Sequence, residues 1–553
     1  MKKHFGKKFN CTTGLMYISL VSLLVIQPAI GQEGSRSNLV SAEWLSKNLG
    51  NKDLVILDAS PAQAFKAGHI TGAVNYDLFS YGPRELPVPE VEKRYQSWGI
   101  SPGKKIIIYD QGGTMLATRL LFSLDYYGFP GKNIYILDGG ISKWKESGYE
   151  VTADVIQPAK GSFTINRLNN AVKADLPEFL DASGDPAKNS LVEALDPSWH
   201  YGELNVFGRR GHIPNAIMLP VADFYNPDKT FKSNEEIIKI LNYRGIDPGK
   251  TVYTHCGGGI AASVPYFAIK YLLGRPDVKL FPGSQLEWAA DPRELPFWTY
   301  DAPYLIRDAG WLQGWGGRMM RMYGISNVSF IDVRSKEAFS KGHIEYAVNL
   351  SPVDLEADFN SPGKMAELFS VAGVNDSAEA VIISGGGLTK EAALAFVALE
   401  KTGQKKISVF MDTEDTWEKS GFKIISVETG IDATKPVIEK TNSATGYPVN
   451  TRNGIIITDP ASVKGIFPRI VIESGNGISS KIREGKIINL QYTDLLNSDG
   501  APKPAKDIWS ILSKAGVPEY AEIVCYSDDP GEAAIVYFTL RLMGFPDIKM
   551  LVD

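Results

Sequence analysis

A cysteine followed by three glycines ends an apolar run. Thr251-Val252-Tyr253-Thr254-His255 leads into Cys256-Gly257-Gly258-Gly259-Ile260-Ala261 and then into a helical stretch, Ala262–Leu273. Glycines carry no Cβ, so the backbone can wrap until several N–H groups point at one place. That place is the start of the predicted helix, where unpaired donors and the helix dipole favour negative charge. A thiol there is expected to ionise, because an ordinary pKa of about 8.5 falls in such surroundings. The same cradle suits a persulfide, Cys–S–S⁻, made when a thiolate attacks the sulfur of an anionic donor and later yields it to a second nucleophile. Cys256 is the candidate nucleophile, and Gly257, Gly258, Gly259, Ile260 and Ala261 are the candidate anion-binding loop. The competing reading is a buried cysteine beside a glycine turn.

Other chemistries fit poorly. Gly249-Lys250-Thr251 resembles the end of a phosphate loop, but residue 244 is Arg and a strand follows where a helix is required. The three glycines lack dinucleotide-fingerprint spacing. A Cys-x5-Arg phosphatase needs arginine where Ala262 stands. Six histidines and three cysteines show no metal-ligand spacing, so neither a metal nor another cofactor is expected. His255 neighbours the cysteine but, as a strand residue, should face away from it.

The elements that position this loop repeat along the chain. Gly68-His69-Ile70-Thr71-Gly72-Ala73-Val74-Asn75 recurs as Gly211-His212-Ile213-Pro214-Asn215-Ala216 and as Gly342-His343-Ile344-Glu345-Tyr346-Ala347-Val348-Asn349, with a worn copy at Gly485-Lys486-Ile487. Eleven residues after Gly99, Gly245, Gly373 and Gly516, apolar β-branched runs end at Asp110, Cys256, Ser384 and Ser527. Trp144, Trp288 and Trp417 mark a third landmark. These are four copies of one unit. Within the second, Ser190–Leu195 reads as a strand and Ser233-Asn234-Glu235-Glu236 as a capping box opening a helix to Tyr243. Thr251–His255 and Val278–Phe281 read as further strands. Such alternation predicts an α/β fold of mostly parallel sheets with helices on both faces.

At 553 residues the chain needs several cores, and 22% charged residues without a basic block argue against nucleic-acid binding. Lys2, Lys3, Lys7 and Lys8 precede the apolar stretch Leu15–Ile26 and a small-residue end, a secretory leader over residues 1–31. Its removal would take the net charge from −5 to −9. The stretch is too short to span a bilayer, and no later segment is apolar enough, so an exported chain without a membrane span is expected. Cys11 precedes that stretch and cannot be a lipid-attachment cysteine. Cys256 and Cys525 are too few for a disulfide framework.

The Gly-His-Ile repeats, the strand–Cys–Gly-rich loop–helix and the Gly…Trp landmark resemble the rhodanese-like sulfurtransferases across nearly all of the predicted mature chain. The resemblance implies four rhodanese-like domains: 38–157, without a cysteine; 170–300, with Cys256; 305–428; and a degenerate 454–553 after a linker at 429–453. It implies a thiosulfate or 3-mercaptopyruvate sulfurtransferase, with a small-molecule sulfur donor and a thiol or cyanide acceptor. Thiosulfate-type members carry Arg and Lys after the cysteine; Gly257 and Gly258 resemble instead the mercaptopyruvate type. That type also uses an Asp and a His from the first domain, and Asp58 and His69 match the spacing. Its serine two past the cysteine is Gly258 here, so a Ser-His-Asp relay does not carry over. Arg209 and Arg210 match the family's carboxylate-binding arginines, or are surface charges. The third copy, Ser384-Gly385-Gly386-Gly387-Leu388-Thr389, should keep the loop shape without a nucleophile, leaving the last two domains to packing or a protein partner. The alternative for the whole chain is a non-catalytic sulfur- or oxyanion-binding scaffold. Thiol redox chemistry needs a resolving thiol, and none lies nearby in sequence.

Overall fold

The computed structural model describes residues 38–80, 85–359, 361–374, 378–420, 423–426, 447, 451–452, 454–475, 477 and 481–552. The expected leader 1–31, Cys11 and most of the expected linker 429–453 lie outside the described residues.

Central strands such as Lys105–Tyr109 (Lys-Ile-Ile-Ile-Tyr) are buried at all but the first residue, the pattern of parallel strands covered on both faces. The first sheet holds β1 (Leu39–Val40), β2 (Leu54–Asp58), β3 (Ala73–Asn75), β4 (Lys105–Tyr109) and β5 (Ile134–Leu137), in the order β1-β5-β4-β2-β3. The second holds β6 (Asn189–Glu193), β7 (Ala216–Met218), β8 (Thr251–His255) and β9 (Val278–Leu280), ordered β9-β8-β6-β7, with Lys173 bridging to Leu280 at the edge that β1 takes in the first. The third runs β10 (Ile306–Arg307), β11 (Val328–Asp332), β12 (His343–Ile344), β13 (Ala347–Asn349), β14 (Glu379–Ile383), β15 (Lys406–Phe410) and β16 (Ile424–Ile425). Its main order is β10-β15-β14-β11-β13, and β12 pairs with β16. The fourth holds β17 (Ile456–Ile457), β18 (Arg469–Glu473), β19 (Lys486–Asn489), β20 (Glu522–Tyr526) and β21 (Ile548–Leu551), ordered β17-β21-β20-β18-β19. One strand order thus recurs four times, and the main-sheet pairings are parallel.

Local signals behave as the residues suggest. Ser233 and Glu236 close the capping box on the helix Asn234–Tyr243. Trp144, Trp288 and Trp417 are buried, and their indole N–H groups donate to the carbonyls of Glu150, Pro296 and Lys423. Three boundaries differ, the slightest being β9, which stops at Leu280, one residue before the expected Phe281. β6 stops at Glu193, two residues before the expected Leu195. The stretch Ala262–Leu273 is not one α-helix: it is helical over Ser263–Phe267 and widens to π geometry over Ala268–Leu272. That widening aligns residues five apart, and Tyr266 and Tyr271 both donate to Asp125 Oδ2.

The domains pack in pairs. Helix Leu116–Tyr126 of the first lies against Ser263–Phe267 of the second, with Thr118 Oγ1 2.8 Å from Ser263 Oγ. The second domain's hairpin, bridged at Tyr225 and Phe231, covers the first domain's loop after β4, where the Tyr225 hydroxyl donates to Thr114 O at 2.7 Å. Helix Lys390–Thr402 meets Pro530–Leu542 in the same way. There the hairpin bridged at Leu496 and Pro502 covers the loop after β14, and Leu388 N–H donates to Gly500 O at 2.9 Å. A two-domain unit is therefore used twice.

The second and fourth domains join the two units. The Tyr243 hydroxyl donates to Ala521 O at 2.9 Å, its ring lies against Phe467 and Tyr520, and Arg244 lies over Tyr520. Tyr201 stacks on Trp509, and Tyr201, Met218, Ala302 and Leu305 belong to the hydrophobic core of the third and fourth domains. Among the described residues no helix is long and apolar enough to cross a membrane.

This interface decides the behaviour of a chain cut near residue 305, which the sequence alone suggests should retain near-full turnover unless the halves share an interface that buries apolar surface. Buried aromatic side chains each contribute about 1.5–3 kcal/mol. The shortened chain should therefore bind a hydrophobic dye and unfold roughly 5 °C or more below the full chain. An unchanged melting temperature in calorimetry would contradict a shared core.

Candidate functional site

Four strand ends define four equivalent places. Beside each stands the end of the neighbouring strand, and there the residue is always acidic: Asp58 pairs with Tyr109, Glu193 with His255, Asp332 with Ile383 and Glu473 with Tyr526. This landmark was missed because aspartate and glutamate alternate and only the three-dimensional register aligns them.

In the second domain Cys256 follows β8 and is 3% exposed, within the hydrophobic cluster shared by the first two domains. Gly259 N–H donates to Cys256 Sγ at 3.1 Å. Gly259 has φ of +81°, and a Cβ there would lie 2.4 Å from Pro282 O, so only glycine turns this N–H onto the sulfur. Cys256 N–H donates to Ser284 Oγ at 3.0 Å, and that hydroxyl donates to Phe281 O and lies 4.0 Å from Sγ. Ser284 holds φ of +51°, a left-handed conformation that costs a non-glycine residue on the order of 1 kcal/mol. Gly140 takes the corresponding place in the first domain with φ of +56°. A strained serine at this position was not legible from sequence, which showed only that Ser284 replaces a glycine.

A second segment closes over the loop. A Cβ on Gly257 would come within 1.9 Å of the Phe207 ring, which stacks on Trp199 at 4.9 Å. Ile260, Ala261 and Phe207 all pack against the same hydrophobic cluster as Cys256. Leu286 lies beside Gly258, and its N–H donates to Gly257 O.

The other residues expected at the site do not converge on the sulfur. Asp58 Oδ1 accepts the Ser60 N–H within the first domain. His69 hydrogen-bonds to Phe65 O and Asp154 O and stacks on Phe65 at 3.8 Å. The third domain, without a cysteine, repeats both arrangements: Asp332 accepts the Arg334 N–H, and His343 bonds Phe339 O and stacks on Phe339 at 3.7 Å. None of the hydrogen bonds of Asp58 or His69 reaches Cys256. Arg209 donates to Leu295 O and lies over Phe297, and Arg210 donates to Gly202 O and Glu203 O. Both guanidinium groups serve carbonyls of their own domain and lie on its surface.

Behind the loop is a buried polar relay. Gln285 N–H donates to Cys256 O, and its side chain donates to Glu193 Oε1 at 2.7 Å. Glu193 Oε2 lies 2.5 Å from His200 Nδ1, and His200 Nε2 lies 2.7 Å from Asp301 Oδ1. Burial opposes charge on His200, but the carboxylates of Asp301 and Glu193 outweigh it and raise the ring to about 9. Burial and the neighbouring His200 charge push His212 down to about 4, and burial does the same to His255. His255 packs edge-on to Phe179, on the face away from the cysteine. His200, His212 and Asp301 are the one group among the described residues whose ligand atoms gather closely enough for a metal. The two imidazoles, however, stack 3.7 Å apart with planes 4° from parallel. No point lies in both ring planes, as both nitrogen lone pairs would require, so the trio suits a hydrogen-bonded relay rather than a chelate.

The other three places differ in how they treat an anion. In the first domain the Asp110 carboxylate fills the cradle itself, accepting N–H groups of Gly112, Leu116 and Ala117 and the Thr114 hydroxyl. In the third, the expectation of a preserved loop shape fails. Gly385, Gly386 and Gly387 all have positive φ, whereas in the second domain only Gly259 does. The two glycines that differ face their own domain, where a Cβ on Gly385 would lie 3.2 Å from Arg334 and one on Gly386 2.7 Å from Thr413; Gly387, the counterpart of Gly259, is covered by the fourth domain's hairpin, with Asp499 O 2.8 Å from such a Cβ. In the fourth, Ser527 donates to Glu532, and Lys390 of the third domain bridges Asp529 and Glu532. Cys525 is a free, fully buried thiol whose pKa burial pushes up.

The model of the rhodanese-like domain matches residues 41–147, 173–291 and 318–425. A putative thiosulfate sulfurtransferase of Synechococcus elongatus is 31% identical over 302 residues, 50% of this chain and 92% of that protein. The mitochondrial thiosulfate/3-mercaptopyruvate sulfurtransferase 1 of Arabidopsis thaliana is 25% identical, over 47% of this chain and 77% of its own length. The solved structure of SseA from Escherichia coli, described as a 3-mercaptopyruvate sulfotransferase, is similar at 26% identity and a TM-score of 0.41, covering 45% of this chain and 98% of that one.

The relay makes stability depend on pH with a definite sign. His200 is raised in the fold from 6.5 to about 9, so its contribution is complete below pH 6.5 and is lost as pH rises toward 9. The stability gap between the wild-type chain and His200→Gln, from denaturant titrations, should shrink across that window. A gap independent of pH would contradict a charged His200.

Proposed function

The chain belongs to the rhodanese-like domain family, and its relatives include proteins named as sulfurtransferases; from there we propose that Cys256 carries sulfur as a persulfide between a small anionic donor and a thiol or cyanide acceptor. The observation that carries this reading is the Cys256 sulfur seated on the Gly259 N–H beside the Ser284 hydroxyl. With 3-mercaptopyruvate, the thiolate bonds to the donor's sulfur while the carbon–sulfur bond breaks. That electron pair goes to carbon and the donor's thiol proton follows it, giving pyruvate and Cys–S–S⁻. An acceptor thiolate then takes the outer sulfur and returns Cys256 to its thiolate. Donor hydrogen-bonding groups fixed in a water-poor loop favour the anionic states on both sides of the transfer. Export is proposed on the composition of residues 1–31 alone.

3-Mercaptopyruvate is the proposed donor over thiosulfate. No side-chain cation follows Cys256 in the loop, and Arg209 and Arg210 are engaged with carbonyls of Leu295, Gly202 and Glu203. A role without sulfur transfer fits the third and fourth domains, where serines stand at the equivalent strand ends and carry no thiolate.

Cys256→Ser should lower turnover by at least about 10³-fold with circular dichroism unchanged, and Cys525→Ser should leave it within about twofold. The reverse result would move the site. In steady-state assays kcat/KM should be higher for 3-mercaptopyruvate than for thiosulfate; a preference for thiosulfate would reject the donor assignment.

A further inference from the structure

The segment that lies over the cysteine loop is short, and both of its ends are fastened. Residues 202–210 connect the helix Pro197–His200 to the buried Gly211 and His212. Most of the segment is exposed, with Val206 63% and Leu204 39% accessible; it is held by its ends, the Phe207 ring against Trp199, the Leu204 N–H on Ser198 O, and the Arg209 and Arg210 bonds to carbonyls of Leu295, Gly202 and Glu203.

The entry stands on the fourth domain. His200 is locked between Glu193 and Asp301. Tyr201, 2% exposed, donates its hydroxyl to Met543 O at 3.1 Å and stacks on Trp509 at 5.3 Å. Asp301 itself is set against the fourth domain: a Cβ on Gly544 would lie 2.2 Å from its Oδ2, and the adjacent Ala302 N–H donates to Leu542 O. The exit is tied to the same ground. His212 exchanges two backbone hydrogen bonds with Trp298, and its Nδ1 lies 2.9 Å from His200 O.

We infer that the fourth domain, through Trp509 and the Leu542–Gly544 backbone acting on Tyr201 and Asp301, holds Phe207 over the Cys256 loop and so sets which reactants reach the sulfur. Tyr201 and Trp509 are positioning residues, acting through Phe207 and touching neither donor nor acceptor. The inference gives the half of the chain that lacks the candidate nucleophile a task at a site about 250 residues upstream of Trp509 in sequence. The physical basis is local: a surface segment with few contacts of its own opens with a free energy governed by its anchors. Removing the Trp509 ring releases one anchor and leaves the Cys256 loop untouched. The inference builds on Cys256 as the working sulfur, but accessibility of a thiol does not depend on sulfur transfer.

The test is a labelling cycle on the full-length chain. The rate at which N-ethylmaleimide modifies Cys256 is followed by peptide mass spectrometry in the wild type, Phe207→Ala, Trp509→Ala and the double variant. Phe207→Ala and Trp509→Ala should each accelerate labelling roughly tenfold or more, and the double variant should label no faster than Phe207→Ala alone. Tyr201→Phe, which removes only the hydroxyl bonded to Met543 O, should give a smaller acceleration in the same direction and guards against misfolding of the tryptophan variant. A wild-type labelling rate in Trp509→Ala with normal circular dichroism would overturn the inference. Equally, multiplicative effects in the double variant would show that Trp509 does not act through Phe207. If Cys256→Ser retained sulfur transfer while this cycle behaved as described, the function would be wrong and the clamp would stand.

Discussion

The main sheet of each of the four domains runs its strands in one direction, and that single constraint places every loop with anion-binding capacity at a carboxyl edge beside a strand-end acid. In open parallel sheets this edge is where ligands gather. Asp58, Glu193, Asp332 and Glu473 stand in register with the last residues of the adjacent central strands. Each must be neutralised or satisfied, because a buried carboxylate without partners is costly. Asp332 takes Arg334, and Glu193 takes His200. Asp58 takes the Ser60 N–H, while burial pushes its carboxyl up. The copy with a cysteine just past its central strand is also the copy whose strand-end acid connects, through His200 and Asp301, to another domain.

The same edge explains why four similar loops have different fates. Asp110 supplies its own anion to the first cradle, so that loop is occupied by its own chain. The third is threaded against the fourth domain's hairpin, and the fourth is tied up by Lys390 and two acids. In the second, the cover comes from the cysteine's own domain, and Phe207 fills the space that any side chain at position 257 would need. Domain pairing thus closes the loops of the first and third copies from outside, whereas access to Cys256 depends on a segment anchored at a domain boundary.

Much of this was legible in the residues. The Gly-His-Ile repeats, the strand Thr251–His255, the capping box at Ser233 and the recurrent tryptophans show themselves by residue type and spacing along the chain, and the structure places them as the sequence suggests. What escaped depends on contacts between distant segments. Phe207 meets Gly257 across 50 positions, and Tyr201 meets Met543 across 342. Arg209 and Arg210 had the right type and place for a donor's carboxylate, but nothing in sequence reveals the carbonyls of Leu295, Gly202 and Glu203 that claim them. His69 matched by spacing, yet its twin His343 in a cysteine-free domain makes the same ring contacts with the phenylalanine four positions back. The glycine-rich third loop looked like the second because glycine sequence does not specify a path; the neighbours packed against each glycine, Arg334 and Thr413 among them, differ between the two.

The account rests on sulfur residing on one atom. Intact-protein and peptide mass spectrometry of the full-length chain, after brief exposure to 3-mercaptopyruvate without acceptor, reads that atom directly. A gain of about 32 Da on the peptide containing Cys256, removed by added thiol or cyanide and absent from the peptide containing Cys525, is the predicted result. An unmodified Cys256 under conditions where the chain releases pyruvate, or the added mass on Cys525, would contradict it.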